Sequence, residues 1–227
     1  MKNSSKNKGA FSHINAVLFD FDGTLADTNG LIVDSWKYTA LTLAGRSISD
    51  EEVRQTFGEL LYDSIRRIIP EADTNEAIDV YRNYQRDIFL KKLRLFDGAE
   101  EVLKTLKKEG YKNALVTSRL RGSTERGLAH FGIDCLFDAV LTASDMDKFK
   151  PDPAPLYLTL EQIGCKPEEA IYVGDTIHDI EAGRAAGVYT VLVDWSFALP
   201  PRERAGAPAP DLVIGKLTDI LTLLGIE

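Results

Sequence analysis

The stretch AVLFDFDGTL, residues 16–25, is an apolar run that ends in two carboxylates. Asp20 and Asp22 stand two residues apart, and Gly23 and Thr24 follow them. A buried strand that ends in charge is unfavourable unless a cation or another polar group meets it. Because Asp-Gly is also a common turn signal, the alternative is a strand that merely ends in a solvated loop.

The composition predicts a folded globular protein. The chain has 227 residues, 44% of them hydrophobic, which is sufficient for a sizeable buried core. Its formal net charge of −8 argues against a nucleic-acid partner, because clustered Lys and Arg carry most binding to phosphate backbones. No apolar run approaches the roughly 20 residues of a membrane span, so no membrane partner is expected either.

Two smaller features concern the location of the protein. Residues 1–12 are polar and mildly basic, without the apolar centre of a signal peptide, and we expect a flexible tail there. Cys135 and Cys165 have no CxxC spacing, which favours reduced thiols with a structural role. A cytoplasmic protein is therefore predicted.

Short β-branched runs alternate with amphipathic segments along much of the chain. The predicted strands are residues 15–20, 112–117, 139–142, 170–175, 188–193 and 212–214. Between them, Asp97 with Glu100 is typical of a helix-capping pair. Gly110, Gly164 and Gly187 are typical of helix ends. This alternation predicts an α/β fold with a Rossmann-like three-layer core and a mainly parallel sheet.

Residues 29–96 interrupt the alternation, because they contain only helical patterns. The predicted helices are Leu31–Ala44, one opened by Ser49 with Glu52, one around Leu60–Ile69, and Thr74 to about Lys92. Such an insert cannot extend a sheet, so we expect a helical cap domain at 29–96 and a core domain at 13–28 and 97–227. Connectors near Thr28 and Phe96 would let the cap move as a lid.

Three further segments place polar groups at strand ends or helix starts. Thr117 and Ser118 follow one strand, Lys150 opens the stiff sequence Lys-Pro-Asp-Pro, and Asp175 and Asp179 follow another strand. The ordinary alternatives are a helix N-cap for the hydroxyls and a solvated side chain for the lysine. In an open parallel sheet, however, the carboxyl ends of strands form the site, so these groups should converge.

Converging carboxylates need a cation. Asp20, Asp22, Asp175 and Asp179 would repel one another unless a divalent ion and a lysine neutralised them. Carboxylates, waters and a substrate phosphate provide the oxygen-rich surroundings that Mg²⁺ prefers. We therefore expect a magnesium site, with His178 outside it because imidazole suits Mg²⁺ poorly.

The four segments, in this order, resemble the motifs of the haloacid dehalogenase superfamily of phosphohydrolases. The matches are Asp-x-Asp-Gly-Thr-Leu at 20–25, Thr117 or Ser118 at a strand end, Lys150-Pro, and Gly-Asp-x-x-x-Asp at 174–179. The resemblance spans residues 14 to about 195, and the helical insert is similar to the cap of subfamily I.

The resemblance implies catalytic and metal-binding roles. Asp20 would be the nucleophile that forms an aspartyl phosphate. Asp22 would be the general acid and then the general base, with its backbone carbonyl on Mg²⁺. Lys150 would neutralise the phosphoryl group and Asp20. Asp175 would bind the metal directly, and Asp179 would act through a water molecule or from behind the direct ligands.

Substrate contacts are also implied by the resemblance. Thr117 or Ser118 would hydrogen-bond the transferring phosphoryl group, and Gly23 and Thr24 of the first motif would lie against the substrate. Arg119 follows the hydroxyls closely enough to help hold an anionic substrate, although an exposed helix start is an equally good interpretation. The leaving group would be selected by the cap, through the turn at 57–62, although ordinary helix packing is the alternative interpretation of that turn.

The predicted activity is Mg²⁺-dependent hydrolysis of a small phosphorylated metabolite, similar to that of phosphoglycolate phosphatases, by a monomer or homodimer. Local likenesses at residues 28–32, 61–64 and 178–183 favour an inorganic pyrophosphatase of the same family as the alternative. A β-phosphoglucomutase-like enzyme is a further alternative, and conversion of glucose 1-phosphate to glucose 6-phosphate would distinguish it from a phosphatase. A non-catalytic binding protein would be expected to lack at least one of four motif residues, and none of them is missing: Asp20, Asp22, Lys150 and Asp175.

Overall fold

The computed structural model describes residues 11–201, 204 and 207–226. The predicted tail at 1–12 therefore lies mostly outside the described residues, and Phe11 packs edge-on against Tyr189 with ring centroids 5.4 Å apart. Within these ranges, no helix combines the length and the apolar character that a membrane crossing requires. Cys135 and Cys165 are both free thiols.

The core of the molecule is a six-stranded sheet in which every neighbouring pair is parallel. Its strands are β1 (Ala16–Phe19), β4 (Lys112–Val116), β5 (Ala139–Leu141), β6 (Ala170–Gly174), β7 (Tyr189–Val193) and β8 (Leu212–Ile214). Their order across the sheet is β5-β4-β1-β6-β7-β8. Each strand was expected at these positions, and the predicted α/β class with a parallel sheet is confirmed.

Helices cover both faces of this sheet. They are α5 (Ala99–Lys108), α6 (Arg121–Phe131), α7 (Ala154–Ile163), α8 (Ile177–Ala186) and α9 (Asp219–Leu223). Along β1, Val17 and Phe19 pack in one apolar cluster with α5, α6 and α9, whereas Ala16 and Leu18 pack in another with α7 and α8. This is the side-chain alternation of a strand that is buried on both faces.

Four helices follow β1 in the chain and form their own apolar cluster. They are α1 (Asn29–Ala44), α2 (Asp50–Arg54), α3 (Leu61–Ile68) and α4 (Thr74–Lys92). Trp36 and Tyr81 lie at the centre of this cluster with ring centroids 5.3 Å apart. Ser49 and Glu52 form the expected capping box at the start of α2. We call these four helices the cap.

The two connectors of the cap pair with each other, which the sequence did not predict. β2 (Ala26–Asp27) and β3 (Arg94–Leu95) form an antiparallel ribbon of two residues each. Strands this short carry no period-2 pattern, so no sequence signal marks them.

The expected capping pair of Asp97 with Glu100 is wrong. Gly98 occupies the N-cap position of α5, with φ +82°, and no side chain caps the helix. Glu100 instead pairs with Lys104 at 2.5 Å, one turn along α5. Glycine takes the cap position because the chain enters the helix through the left-handed backbone region, which other residues adopt only at a cost.

Candidate active site

The strand order brings three of the four motif segments together at one edge of the sheet. β1 lies between β4 and β6, and Phe19 is in register with Leu115 and with Val173. Asp20 therefore emerges between the segment that carries Thr117 and the segment that carries Asp175. This convergence is the one expected for the carboxyl ends of parallel strands.

Lys150, from the loop before α7, is buried in the middle of this group. Its Nζ lies 2.8 Å from Oδ1 of Asp20 and 2.7 Å from Oδ1 of Asp179. It also donates to the hydroxyl of Tyr172 at 2.9 Å, and that hydroxyl donates to Oδ1 of Asp179 at 2.8 Å. The lysine is thus bonded to carboxylates from two separate motifs, and the alternative of a solvated side chain is wrong.

Tyr172 is a member of the site that the sequence did not predict. It is 1% exposed, in the centre of β6, where the sequence indicated only a buried apolar position. A phenol in the middle of a buried strand needs a polar partner for its hydroxyl. This requirement is the sequence feature that could have predicted a role for Tyr172 in the site. Burial raises the pKa of Tyr172 well above its ordinary value, so the hydroxyl remains a neutral donor.

The charges in this cluster are strongly coupled. Burial disfavours the ammonium of Lys150, but Asp179 and Asp20 outweigh it and raise the pKa of Lys150 well above its ordinary value. Burial also opposes ionisation of Asp179, yet Lys150 and Thr176 hold the pKa of Asp179 below its usual range. Asp179 and Lys150 therefore form a permanently charged pair at neutral pH.

Asp20 differs from Asp179 although both contact Lys150. Burial is the main influence and raises the pKa of Asp20 to about 7, against the opposing effect of Lys150. Asp20 is therefore poised between its two protonation states near neutral pH, and any additional cation would favour the ionised form.

Asp175 lacks the partners that a buried carboxylate requires. It is 0% exposed, and neither of its oxygens has a hydrogen-bond partner among the described residues. Burial raises the pKa of Asp175 well above its ordinary value. Orphaned carboxylate oxygens in a buried site are suitable ligands for a divalent cation.

Asp20, Asp175 and Asp179 together can supply one oxygen each to a metal ion, with all three oxygens within 4.8 Å of one another. The oxygens of Asp179 already accept from Lys150 and from Thr176, whose hydroxyl donates to Oδ2 at 2.7 Å. Asp175 and Asp20 are therefore the better direct ligands. Hard oxygen donors of this kind suit a divalent cation, so the residues fit the expected metal.

Asp22 is linked to the cap through Arg119. Its Oδ1 accepts from Nη1 of Arg119 at 2.8 Å, and Nη2 of Arg119 donates to Oε1 of Gln85 on α4 at 3.3 Å. Arg119 is only 9% exposed, so an exposed helix start is the wrong interpretation for it. The contact of the Asp22 backbone carbonyl with a metal stays a prediction.

Thr117 and Ser118 both line the cavity above Asp20. The Thr117 hydroxyl accepts from the Arg119 N–H at 3.2 Å and keeps its own proton for another acceptor. The alternative of a helix N-cap is wrong for both hydroxyls, because α6 begins after Leu120 and no side chain caps it.

Gly23 and Thr24 lie outside the cavity lining. Both are buried, and Gly23 is so close to Asp175 that a Cβ would overlap Oδ2 of that carboxylate. The carbonyl of Gly23 accepts from the Trp195 indole at 3.2 Å. Their predicted contacts with the substrate stay predictions, and the neighbour observed for Gly23 is Asp175.

A cavity of about 660 Å³ separates the sheet edge from the cap. Asp20, Asp22 and Lys150 line its floor, and the segment 56–62 together with α4 lines its roof. The size lies within the usual range for sites that enclose small ligands. The expected turn at 57–62 does reach the site, where Gly58 lies against the His178 ring.

The family model for haloacid dehalogenase-like hydrolases matches residues 17–193, which is more than half of the chain. The chain belongs to the haloacid dehalogenase-like hydrolase family. The sequence-based predictions of this family and of an enzyme with hydrolytic activity are thereby confirmed.

Individual relatives of this haloacid dehalogenase-like hydrolase cover nearly the whole chain. Pyrophosphatase PpaX of Bacillus cereus is 38% identical over 211 residues, which are 93% of this chain and 96% of the relative. Pyrophosphatase PpaX of Halalkalibacterium halodurans is 36% identical over 94% and 98% of the two chains. The structure of a predicted phosphoglycolate phosphatase from Haemophilus somnus superposes with a TM-score of 0.79, at 25% identity, over 93% of this chain and 98% of that one.

Proposed function

We propose that this hydrolase is a Mg²⁺-dependent phosphatase of small phosphorylated metabolites that works through an aspartyl phosphate on Asp20. The observation that carries the proposal is the buried contact of Asp20 with Lys150, beside the orphaned oxygens of Asp175 and at the floor of the cavity under the cap. Asp175 and Asp20, with Asp179 behind them, would hold the cation. When bound, the cation would offset the negative charge of a phosphoryl group entering among carboxylates.

The residues of the chain divide the reaction into two steps. In the first step, an oxygen of Asp20 forms a bond to phosphorus while the bond to the leaving oxygen breaks, and Asp22 donates a proton to that oxygen. In the second step, Asp22 takes a proton from water, the water oxygen bonds to phosphorus, and the bond from phosphorus to Asp20 breaks. Lys150 would neutralise charge near Asp20 throughout, and the Thr117 and Ser118 hydroxyls would donate to the phosphoryl oxygens.

The relatives support two substrates. A phosphoglycolate-type monoester is the first, consistent with the name of the Haemophilus somnus protein. Inorganic pyrophosphate is the second, and the specific observation in its favour is the name of the PpaX relatives, at 38% identity over 93% of the chain. Comparing kcat/KM for 2-phosphoglycolate, pyrophosphate and glucose 1-phosphate decides between them. Formation of glucose 6-phosphate would indicate a phosphomutase instead.

The nucleophile is tested by Asp20→Asn, which removes the attacking carboxylate but keeps a similar shape. We expect no measurable phosphate release in the presence of Mg²⁺, while Asp79→Asn, an exposed acid on α4, keeps wild-type activity. Mg²⁺-dependent turnover by Asp20→Asn would overturn the proposed mechanism. The expectations of a monomer or homodimer, of a cytoplasmic location and of no nucleic-acid partner remain part of the proposal.

A further inference from the structure

Among the described residues, four arginines line the cavity, and they differ in whether a carboxylate neutralises them. Arg119 is buried and paired with Asp22. Arg82 and Arg86 on α4, and Arg126 on α6, are exposed and also line the cavity. Among the described residues, none of these three has a carboxylate within ion-pair distance: Arg86 donates to the Asn83 side-chain amide at 2.9 Å, and Arg126 donates to a backbone carbonyl.

The unpaired arginines continue outward from the catalytic group. The guanidinium carbons of Arg119 and Arg126 lie over the same Phe89 ring, 4.7 Å and 5.2 Å from its centroid. Nη2 of Arg126 donates to the backbone carbonyl of Arg86 at 3.4 Å. Arg82 precedes Arg86 by one helical turn, on the same side of α4. The positive charges therefore form a row that starts beside Asp22.

Such a row is unfavourable by itself, because like charges one helical turn apart repel each other. Acidic partners are available in a chain of net charge −8, and arginines elsewhere use them, as Arg67 does with Glu59 and Arg121 with Asp145. Glu59, although it lines the same cavity, is engaged by Arg67. Among the described residues, these three guanidinium groups of the cavity thus have no carboxylate that neutralises them. A guanidinium group binds a carboxylate or phosphate through two parallel hydrogen bonds, so an incoming anion could fill that role.

We propose that Arg82, Arg86 and Arg126, which we call the arginine row, form a second anion subsite that selects substrates with a negatively charged leaving group. The inference rests on the proposed function, since the floor of the cavity would hold the transferred phosphoryl group. The leaving group would carry a carboxylate or a second phosphate that reaches the arginine row. Esters of neutral alcohols would have no partner there.

The test measures ligand binding to the Asp20→Asn variant, because this variant should not hydrolyse the ligands during the measurement. Calorimetric titrations with Mg²⁺ compare 2-phosphoglycolate and pyrophosphate with glycerol 1-phosphate, before and after Arg86→Met with Arg126→Met. We expect the pair of substitutions to weaken binding of the two charged ligands at least about tenfold. Binding of glycerol 1-phosphate should change by less than about twofold, because its leaving group is neutral.

The matched control is Arg184→Met. Arg184 is an exposed arginine of α8 that donates to the Ala209 carbonyl at 2.8 Å and is not part of the cavity lining. This substitution should leave all three affinities unchanged, and melting curves establish that the variants are folded. Equal losses for charged and neutral ligands, no loss for either, or no preference for the charged ligands before substitution would overturn the proposal. Failure of the proposed function appears separately, as phosphate release by Asp20→Asn or as inactivity of the wild-type enzyme.

Discussion

Gly23 is the residue of the first motif whose identity is most tightly required by its surroundings. Its φ of +78° lies in the left-handed region, and a Cβ at this position would overlap the Asp175 carboxylate. The backbone conformation and the neighbouring Asp175 side chain thus both require glycine at position 23. Gly23 allows β1 to turn while Asp175 occupies the space beside the turn.

Gly23→Ala should therefore impair both stability and metal binding. The left-handed backbone alone costs about 1 to 2 kcal/mol with a side chain, and displacement of Asp175 adds to this. We expect a lower melting temperature and at least about tenfold weaker Mg²⁺ binding by calorimetry. Gly30→Ala is the control, because Gly30 is helical with open space around its Cβ position, and it should stabilise by up to about 1 kcal/mol. Unchanged Mg²⁺ affinity in Gly23→Ala would contradict the expectation.

At the scale of elements, the loop between α2 and α3 is where the cap touches the core beside the start of α8. Gly58 lies in this loop with φ +82°, and a Cβ would overlap Nδ1 of His178 at the start of α8. The neighbouring Phe57 ring is 5.4 Å from the Phe197 ring. The loop therefore closes the cavity by packing directly on the core, without room for a larger residue.

Gly58→Ala should raise KM, because a Cβ would push the loop away from His178 and displace the cavity lining that the loop forms. Gly45→Ala is a matched control: Gly45 also has a left-handed backbone, with φ +62°, but no atom lies within 4 Å of its Cβ position. Both variants should lose about 1 to 2 kcal/mol of stability, and only Gly58→Ala should show the change in KM. Adding His178→Ala to Gly58→Ala should restore KM; a KM that stays high would refute this role of the contact.

At the scale of the whole molecule, the buried carboxylates link stability to pH and to metal. Burial raises the pKa of Asp20 to about 7 and that of Asp175 well above its ordinary value. These groups bind more protons in the folded than in the unfolded state, so stability without metal falls as pH rises from about 4 through 7. A cation competes with the same protons, so its stabilising effect should grow over that window.

We therefore expect the increase in melting temperature caused by Mg²⁺ to be larger at about pH 8 than at about pH 5.5. The difference in free energy should be at most about 1.4 kcal/mol per pH unit for each titrating group. Scanning calorimetry at the two pH values, with and without Mg²⁺, measures it. In Asp175→Asn the Mg²⁺ effect should be small at both values. A Mg²⁺ effect that is equal at both pH values, or larger in acid, would show that proton release is not coupled to metal binding.

The amino-acid sequence determined much of the fold through local patterns. Apolar runs such as 16–19 and 170–174 predict strands because a strand buried on both faces must be apolar throughout, and the six strands were expected where they occur. The cap helices were also expected, because Ser49 with Glu52 marks a helix start without tertiary contacts. The two-residue ribbon and the Gly98 cap were missed, since neither has a periodic pattern.

The sequence also determined which polar side chains come together, because the carboxyl ends of parallel strands lie at one edge of the sheet. Only the tertiary structure decided which side chains pair there. Lys150 meets Asp20 across 130 residues of chain, and Arg119 meets Asp22 across 97. The positions of Tyr172 and of the arginine row at the site also follow from contacts between elements that are distant in sequence. Sequence spacing specifies the face of one element, whereas contacts between elements depend on how those faces pack against one another.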